Sequence, residues 1–538
     1  VTPAVADPRA VTPPVLKGRA FAERLAAVCQ GPLPETPLAD RKYRRVLIPG
    51  LVGGEIQVAL LGLLGQALRM RGAEVTALMC DRFLPACTCR KADHHELACQ
   101  RWCHTNAGPF VRALRLPYRW YSEFIAEAEN AECRRIAQGV PSEQIPGFRF
   151  HDIGLGPHVV RSVESYFKVG ECDLQRPDMV RAAREFLLAG MYLTIVGARA
   201  LDELRIDKVF VDDGQKIDWG VVRAVAVNKG IPVDVLWHGH RAYSVRFERE
   251  RPGQPPAHMP EWDVWRKLPL TAAQQADLDR YLAEHDCRPY EFRPDWRAQP
   301  TPAAEVRRLL GLPERRPGLV FGLFSNVGFD AGLTKHGAAY ESMTAWLVDT
   351  VEHFRRWPQH HLVVKAHPAE NYQRALDNVL ELIRVRCAPV PPNVRLLPPD
   401  TPVTAQSVLR ILDCALLYTS TVAIEAGVRG VPAILVGGGW NAGRGFTADA
   451  ANPEDYVRRL ERACAGRELP PTNVELARRF AYAMWFRAAL VIRYFDVLNW
   501  NVRALKLRHW SELAAGCDPV IDTISCGVLN DAPFEAPV

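Results

Sequence analysis

The stretch from Ile411 to Thr447, ILDCALLYTSTVAIEAGVRGVPAILVGGGWNAGRGFT, constrains the fold more than any other. Its apolar run Ile411–Leu417 reads as a buried strand. Ser420 and Thr421 open a short helix over Val422–Val428, Arg429-Gly430 closes it, and after Pro432 the run Ala433–Val436 reads as the next strand. Parallel pairing needs such a crossover, so this is a β–α–β unit of a parallel sheet. Ligands of these sheets sit outside the carboxyl ends of the strands. There Ser420 and Thr421 bring two hydroxyls and several N–H groups together, which suits a phosphate. Glu425 lies four residues after Thr421 on the same helix face, placed to accept from a sugar hydroxyl beside that phosphate. A plain N-cap is the alternative reading of the Ser-Thr pair. It does not cover Glu425, because a capping box wants the acid three residues after the cap.

At 538 residues the chain is long enough for two or three domains. The pattern predicts an arm over 1–40, a Rossmann-like domain over 41–290, a second over 301–470, and C-terminal helices with a tail over 471–538 that pack back on the first. In the first domain RRVLIPG reads as a strand, LVGGE as a glycine loop, Ile56 to Arg71 as a helix, and Glu74 to Cys80 as a strand. The glycine loop lacks both G-x-G-x-x-G and the Walker lysine, which argues against NAD and P-loop nucleotide binding. Gly53 and Gly54 instead let backbone approach a ligand. Helical patterns follow near 118–138 and 176–204. Lys208 to Val211 then reads as a strand ending in Asp212-Asp213-Gly214. A Pro- and Trp-rich tether with one helix near Ala272 to His285 leads to the second domain. There Leu319 to Phe324 exits into Ser325-Asn326, and His361 to Ala366 exits into His367-Pro368, in a parallel sheet of about five strands. Asn473 to Leu507 reads as mostly helical.

No run of 18 apolar residues occurs, so no membrane-spanning helix is expected, and the N-terminal stretch lacks a signal-peptide core. Fourteen cysteines scattered through a chain of this size favour a reducing cytoplasm. The net charge of +6 permits an acidic substrate or peripheral contact with a membrane surface and demands neither. One segment, residues 80–104, holds five cysteines and three histidines. Cys80, Cys87, Cys99 and Cys103 are candidate ligands of a structural zinc; reduced cysteines lining a loop are the alternative.

Three groups carry candidate chemistry. His367 precedes a proline, which keeps it out of helical backbone at a strand end, where its ring can donate to a phosphate. Asp212 or Asp213 could take a proton from an acceptor hydroxyl, or the pair could be an Asp-Gly turn. The loop holding Gly443, Arg444 and Gly445 wraps a nucleotide or lies on the surface.

The second half resembles the nucleotide-binding half of GT-B glycosyltransferases of the capsule and surface-polysaccharide type. The matching pieces are FSNVGFD (Phe324–Asp330), LVVKAHPAE (Leu362–Glu370), YTSTVAIEAGVRGVPAILVG (Tyr418–Gly437) and GRGFT (Gly443–Thr447). Asp212-Asp213-Gly214, His367-Pro368 and Ser420-Thr421 together are similar to motifs of bacterial sialyltransferases and Kdo transferases. The resemblance implies a GT-B fold of two Rossmann-like domains whose parallel sheets face a central cleft. It implies Asp213, with Asp212 beside it, as the base of an inverting transfer. It implies Ser325, Asn326, His367, Pro368, Ser420, Thr421, Glu425, Gly443, Arg444 and Gly445 around the donor nucleotide. The expected activity is transfer of a sugar from a nucleotide-linked donor, CMP-linked in the sialyltransferase and Kdo-transferase pattern, to a surface glycan or glycolipid. No cofactor is required by that chemistry and no nucleic-acid partner is expected. A CDP-glycerol-type glycerophosphotransferase and a non-catalytic glycan-binding scaffold are the alternatives on the same fold. Should the acidic pair not serve, His151, Asp152 and His238 are the next candidates for the base.

Overall fold

The computed structural model describes residues 19–51, 55–90, 92, 108–241, 243–252, 257–259, 261–287, 300–313, 318–329, 338–466, 468–498 and 501–536. Its strands in chain order are β1 (Arg45–Ile48), β2 (Glu74–Met79), β3 (Tyr118–Trp120), β4 (Arg149–Phe150), β5 (Ile153–Gly154), β6 (Lys208–Asp212), β7 (Val233–His238), β8 (Ser244–Glu250) and β9 (Ala257–His258). They continue with β10 (Val320–Phe324), β11 (His361–Lys365), β12 (Val394–Leu397), β13 (Cys414–Leu417), β14 (Ala433–Leu435), β15 (Ala448–Asp449), β16 (Leu490–Val491), β17 (Phe495–Leu498) and β18 (Asn501–Leu505).

The first sheet runs β16-β8-β7-β6-β1-β2-β3, parallel from β7 to β3, with β8 and β16 antiparallel at one side. The second runs β12-β11-β10-β13-β14-β15 and is parallel throughout. In both, the first strand in sequence sits centrally, the next two go one way and the later ones the other. This is the Rossmann order, with a crevice where the direction of winding reverses. In the first sheet that point lies between β1 and β6, in the second between β10 and β13. The central strands are apolar along both faces, as parallel strands covered on two sides must be. Cys414–Leu417 is buried at all four positions.

The C-terminal segment returns to the first sheet, as the sequence pattern leads one to expect. β16 adds its Leu490 beside Val245 of β8. The helix Pro519–Asn530 buries Ile521, Ile524, Val528 and Leu529 in a core shared with the helix Glu55–Met70. Polar ties hold the tail down. Arg71, fully buried, pairs with Asp522 at 2.5 Å. Asp531 meets Lys42 at 2.6 Å and Lys208 at 3.4 Å, and also contacts Arg251.

Three expectations are corrected. The Pro- and Ala-rich arm contains a helix, Arg19–Val28, whose Phe21 and Leu25 are buried against Phe110 and its neighbours. The span Asn473–Leu507 is helical only in its first part, an α-helix over Val474–Tyr482 that continues as a π-helical turn over Ala483–Arg487. β16, β17 and β18 follow, because their apolar residues find partners on β8 and on each other. The second sheet has six strands where about five are expected. No helix among the described residues is long and apolar enough to cross a membrane.

Candidate active site

Three strand ends of the second sheet come level. Phe324 on β10 stands in register with Lys365 on β11 and with Leu417 on β13. Ser325, His367 and the turn from Tyr418 to Thr421 therefore leave the sheet side by side, at the crevice. The buried Ser325 hydroxyl accepts from the His367 N–H at 3.0 Å, and Asn326 Oδ1 accepts from the Thr419 N–H at 3.3 Å. These two side chains brace the neighbouring loops. His367 Nδ1 accepts from the Ala369 N–H at 3.1 Å. In the neutral ring this puts the proton on Nε2, the donor a phosphate oxygen needs. Pro368 starts the short helix Ala369–Tyr372 with φ −58°, which fixes that geometry.

At Ser420-Thr421 the cap reading and the ligand reading divide between the two residues. The Ser420 hydroxyl accepts from the Val422 N–H at 3.3 Å. Thr421 has helical backbone and its side chain makes no cap bond. Asn441, which sequence reasoning missed, is buried and donates to the Ser420 carbonyl at 2.9 Å, so the glycine loop after β14 clamps this turn. Beneath His367 lie two more missed groups. Lys365 is buried, donates to the carbonyls of Ala366 (3.0 Å) and Pro398 (3.3 Å), and burial pulls its pKa down to about 8. Glu370 is buried beside it, and burial pushes its carboxyl up to about 7 against the pull of the Val379 N–H and Lys365.

The remaining second-domain candidates are placed differently. Glu425 is 3% exposed; Gln406 donates to its Oε2 at 2.8 Å and His285 Nε2 stands 3.4 Å from Oε1. Burial raises its pKa, but His285, Arg429 and Gln406 outweigh that and hold it below the usual range. Through His285 it is tied to the tether helix Ala272–Cys287. Arg444 donates through Nε to the Trp440 carbonyl at 2.8 Å and lies 5.5 Å over the Phe480 ring. The Gly443 N–H is taken by Asp449 at 2.5 Å, and a side chain at Gly445 would meet Leu476 at 3.0 Å. This loop is folded on the helix Val474–Tyr482.

In the first sheet β6 ends at the acidic pair. Asp212 is buried; burial and the adjacent Asp213 charge push its pKa up to about 8, so it carries its proton at neutral pH. Asp213 turns out of the strand with φ 59°, and Gly214 follows at 67°. The Asp-Gly turn reading therefore also holds, without removing the carboxylate. Asp213 Oδ1 accepts from the Gln215 N–H at 3.1 Å and Oδ2 pairs with Lys216 at 2.9 Å. His238, at the end of β7, is held neutral by its dry surroundings, which pull its pKa down to about 4 against the Asp213 charge. His151 and Asp152 are exposed at the tip of the β4–β5 hairpin, with positive φ at both.

A test of Asp212 follows from linkage. Its folded pKa is raised, so its contribution is fully present below the unfolded value near 4 and is lost as pH rises through about 8. Asp212→Asn removes that titration. At pH 9 the variant should exceed wild type by at least ~2 kcal/mol, with the gap closing towards pH 4. Urea melts at both pH values measure it, and a constant difference would refute the burial of an acid there.

Two routes connect the acidic pair to the second sheet. On the helix Gly156–Phe167, His158 Nδ1 is 2.7 Å from the Gln215 carbonyl, while Arg161 reaches the Gly328 carbonyl at 3.3 Å. The two positions are about 4.5 Å apart along the axis. Beside them Gly170 and Gly328 pass so closely that a Cβ on Gly328 would come within 2.4 Å of the Gly170 Cα. The Gly170 N–H donates to Asp377 at 2.8 Å. The second route runs through His240, two residues after His238. Its ring stacks on Trp440 at 4.7 Å, next to Asn441.

The cysteine segment is only partly described. Cys80 is half-buried and Cys87 buried, and Cys99 and Cys103 lie outside the described residues. Among the described residues no three His, Cys, Asp or Glu side chains are grouped to hold a metal.

No protein-family model matches the chain, and no curated protein matches it. Solved structures similar to it include the Thermosulfurimonas dismutans KpsC beta Kdo 2,4 transferase, at 16% identity over 58% of this chain and 88% of that one, TM-score 0.34. The spinosyn rhamnosyltransferase SpnG is similar at 13% identity over 82% and 96%, TM-score 0.24. The Neisseria meningitidis UDP-GlcNAc 2-epimerase is similar at 11% over 82% and 94%, TM-score 0.23.

Proposed function

We propose that this chain is a glycosyltransferase that moves a sugar from a nucleotide-linked donor to a glycan or glycolipid acceptor. The observation that supports it best is the juxtaposition across the crevice. His367 and Thr421 follow β11 and β13, the strands on either side of β10 in one sheet, and Asp213 ends β6, beside the winding reversal of the other. In this reading His367 Nε2 and the Thr421 hydroxyl stabilise the charge that grows on the leaving phosphate. Asp213 takes the acceptor's proton as the new bond forms, and Lys216 orients its carboxylate. Buried Asp212 supports the turn and takes no proton from substrate. The finer reading is a CMP-linked donor and a surface-polysaccharide acceptor.

A thermal-shift panel of CMP, UDP and CDP tests the nucleotide site. A nucleotide at 100 times its dissociation constant should stabilise the fold by about 2.7 kcal/mol. His367→Ala and the double variant Ser420→Ala/Thr421→Ala should each lose most of that shift, although the lost cap costs about 1 kcal/mol. Full shifts in both variants would remove the nucleotide from this crevice.

A further inference from the structure

Arg246 lies on β8, directly across from Trp237 of β7, near the carboxyl end of that strand. It is 8% exposed. Its guanidinium carbon stands 5.6 Å from the Trp237 ring centre and 5.3 Å from that of Trp440, so one tryptophan comes from each half of the molecule. The guanidinium forms no hydrogen bond or ion pair with any described residue, and its Nε is buried without a partner. Glu248, whose charge reaches it, is already engaged by Arg223 at 2.9 Å and by the Trp237 indole at 3.1 Å. Nε2 of His240, whose ring stacks on Trp440, is likewise buried with no partner among the described residues.

A buried guanidinium carries five donors and no alternative protonation state that would discharge it at neutral pH. Leaving it without an acceptor destabilises the fold. The two indole rings hold the cation by their faces and help to keep it dry. What such a fixed fork fits is a planar or tetrahedral oxyanion bound through two parallel N–H groups. Its position relates it to the crevice, because Trp440 precedes Asn441, which pins the Ser420 carbonyl. We propose that Arg246, clamped between Trp237 and Trp440, recognises an oxyanion of the ligand held between the two sheets, either a phosphate or a sugar carboxylate. The identity of that ligand as a nucleotide donor rests on the function proposed above; the oxyanion site does not. Because the first sheet supplies the arginine and the second supplies half of its clamp, the bound anion joins the two halves.

Calorimetry on the full chain tests this with inorganic phosphate, CMP, UDP, glucuronate and, as the neutral control, glucose. Arg246→Gln and Arg246→Lys are compared with wild type, together with their melting temperatures without ligand. The expected result is binding of at least one anionic probe by wild type, weakened about tenfold or more in Arg246→Gln and less in Arg246→Lys. The unliganded melting temperature of Arg246→Gln should equal or exceed that of wild type, since an unsatisfied buried charge has been removed. Loss confined to phosphate and nucleotides assigns the anion to a phosphate, and loss confined to glucuronate assigns it to a carboxylate. Equal nucleotide affinity in wild type and both variants, with unchanged glucuronate binding, overturns the assignment and leaves the proposed function standing. Binding of phosphate or glucuronate through Arg246 without any nucleotide binding does the reverse. Failure of wild type to bind any anionic probe, or a marked drop in melting temperature for Arg246→Gln, overturns it as well.

Discussion

Asp213→Asn should lower the transfer step by about 10²-fold or more while nucleotide binding stays nearly intact. The substitution keeps the size of the side chain and its acceptor oxygen for the Gln215 N–H. It loses the charge that pairs with Lys216 and the basicity that an inverting transfer requires. The reason to choose Asp213 over Asp212 is now physical. Asp212 is buried and holds its own proton at neutral pH, so it has nothing to accept with. Asp213 leaves the sheet in left-handed backbone and turns its carboxylate off the end of β6. A pH–rate profile should lose its acidic limb in Asp213→Asn and keep it in Asp212→Asn. Wild-type turnover in Asp213→Asn would move the base elsewhere, with His238 the first candidate by proximity of charge.

Asp234→Ala should destabilise the fold by about 3–5 kcal/mol. Asp234 is fully buried on β7 and faces three cations: Lys208 at 2.7 Å, Arg251 at 3.2 Å and Arg249 at 3.5 Å. Lys208 is itself fully buried, and burial pulls its pKa down while Asp234 holds it up. Removing the carboxylate leaves that ammonium with Asp531 alone, at 3.4 Å. The same cations hold Asp531 and the returning C-terminal tail, so the loss reaches both ends of the chain. Denaturant melts should show the drop, and a change under 1 kcal/mol would mean the cluster relaxes to meet water. The site lies away from the crevice loops, so nucleotide affinity measured below the transition should be nearly unchanged.

What was legible in the sequence is what local chemistry dictates. Apolar runs ending in Ser-Asn, His-Pro and Ser-Thr mark strands and the loops that leave them, and the register of β10, β11 and β13 brings those loops together. What was illegible depends on distant partners. Glu425 looks free on its helix face, yet its neighbour His285 is 140 residues away. Nothing local in SVRFERE on β8 says that Arg246 ends beside two tryptophans just over 200 residues apart. The aromatic-rich segment after Arg487 reads as helix by local pattern, and only the pairing of β16 with β8 and of β17 with β18 makes it strand. The N-terminal helix is hidden by the prolines that precede it, although Phe21 and Leu25 share one face.

The central claim is that the crevice transfers a sugar from a nucleotide. Incubating the purified chain with CMP-sugars, UDP-sugars and CDP-glycerol, together with an oligosaccharide acceptor, and resolving products by mass and anomeric configuration, tests it most directly. The account predicts a glycosylated acceptor of inverted configuration and stoichiometric free nucleotide, with both lost in Asp213→Asn. A glycerophosphorylated acceptor from CDP-glycerol alone, or no product from any donor, would contradict it.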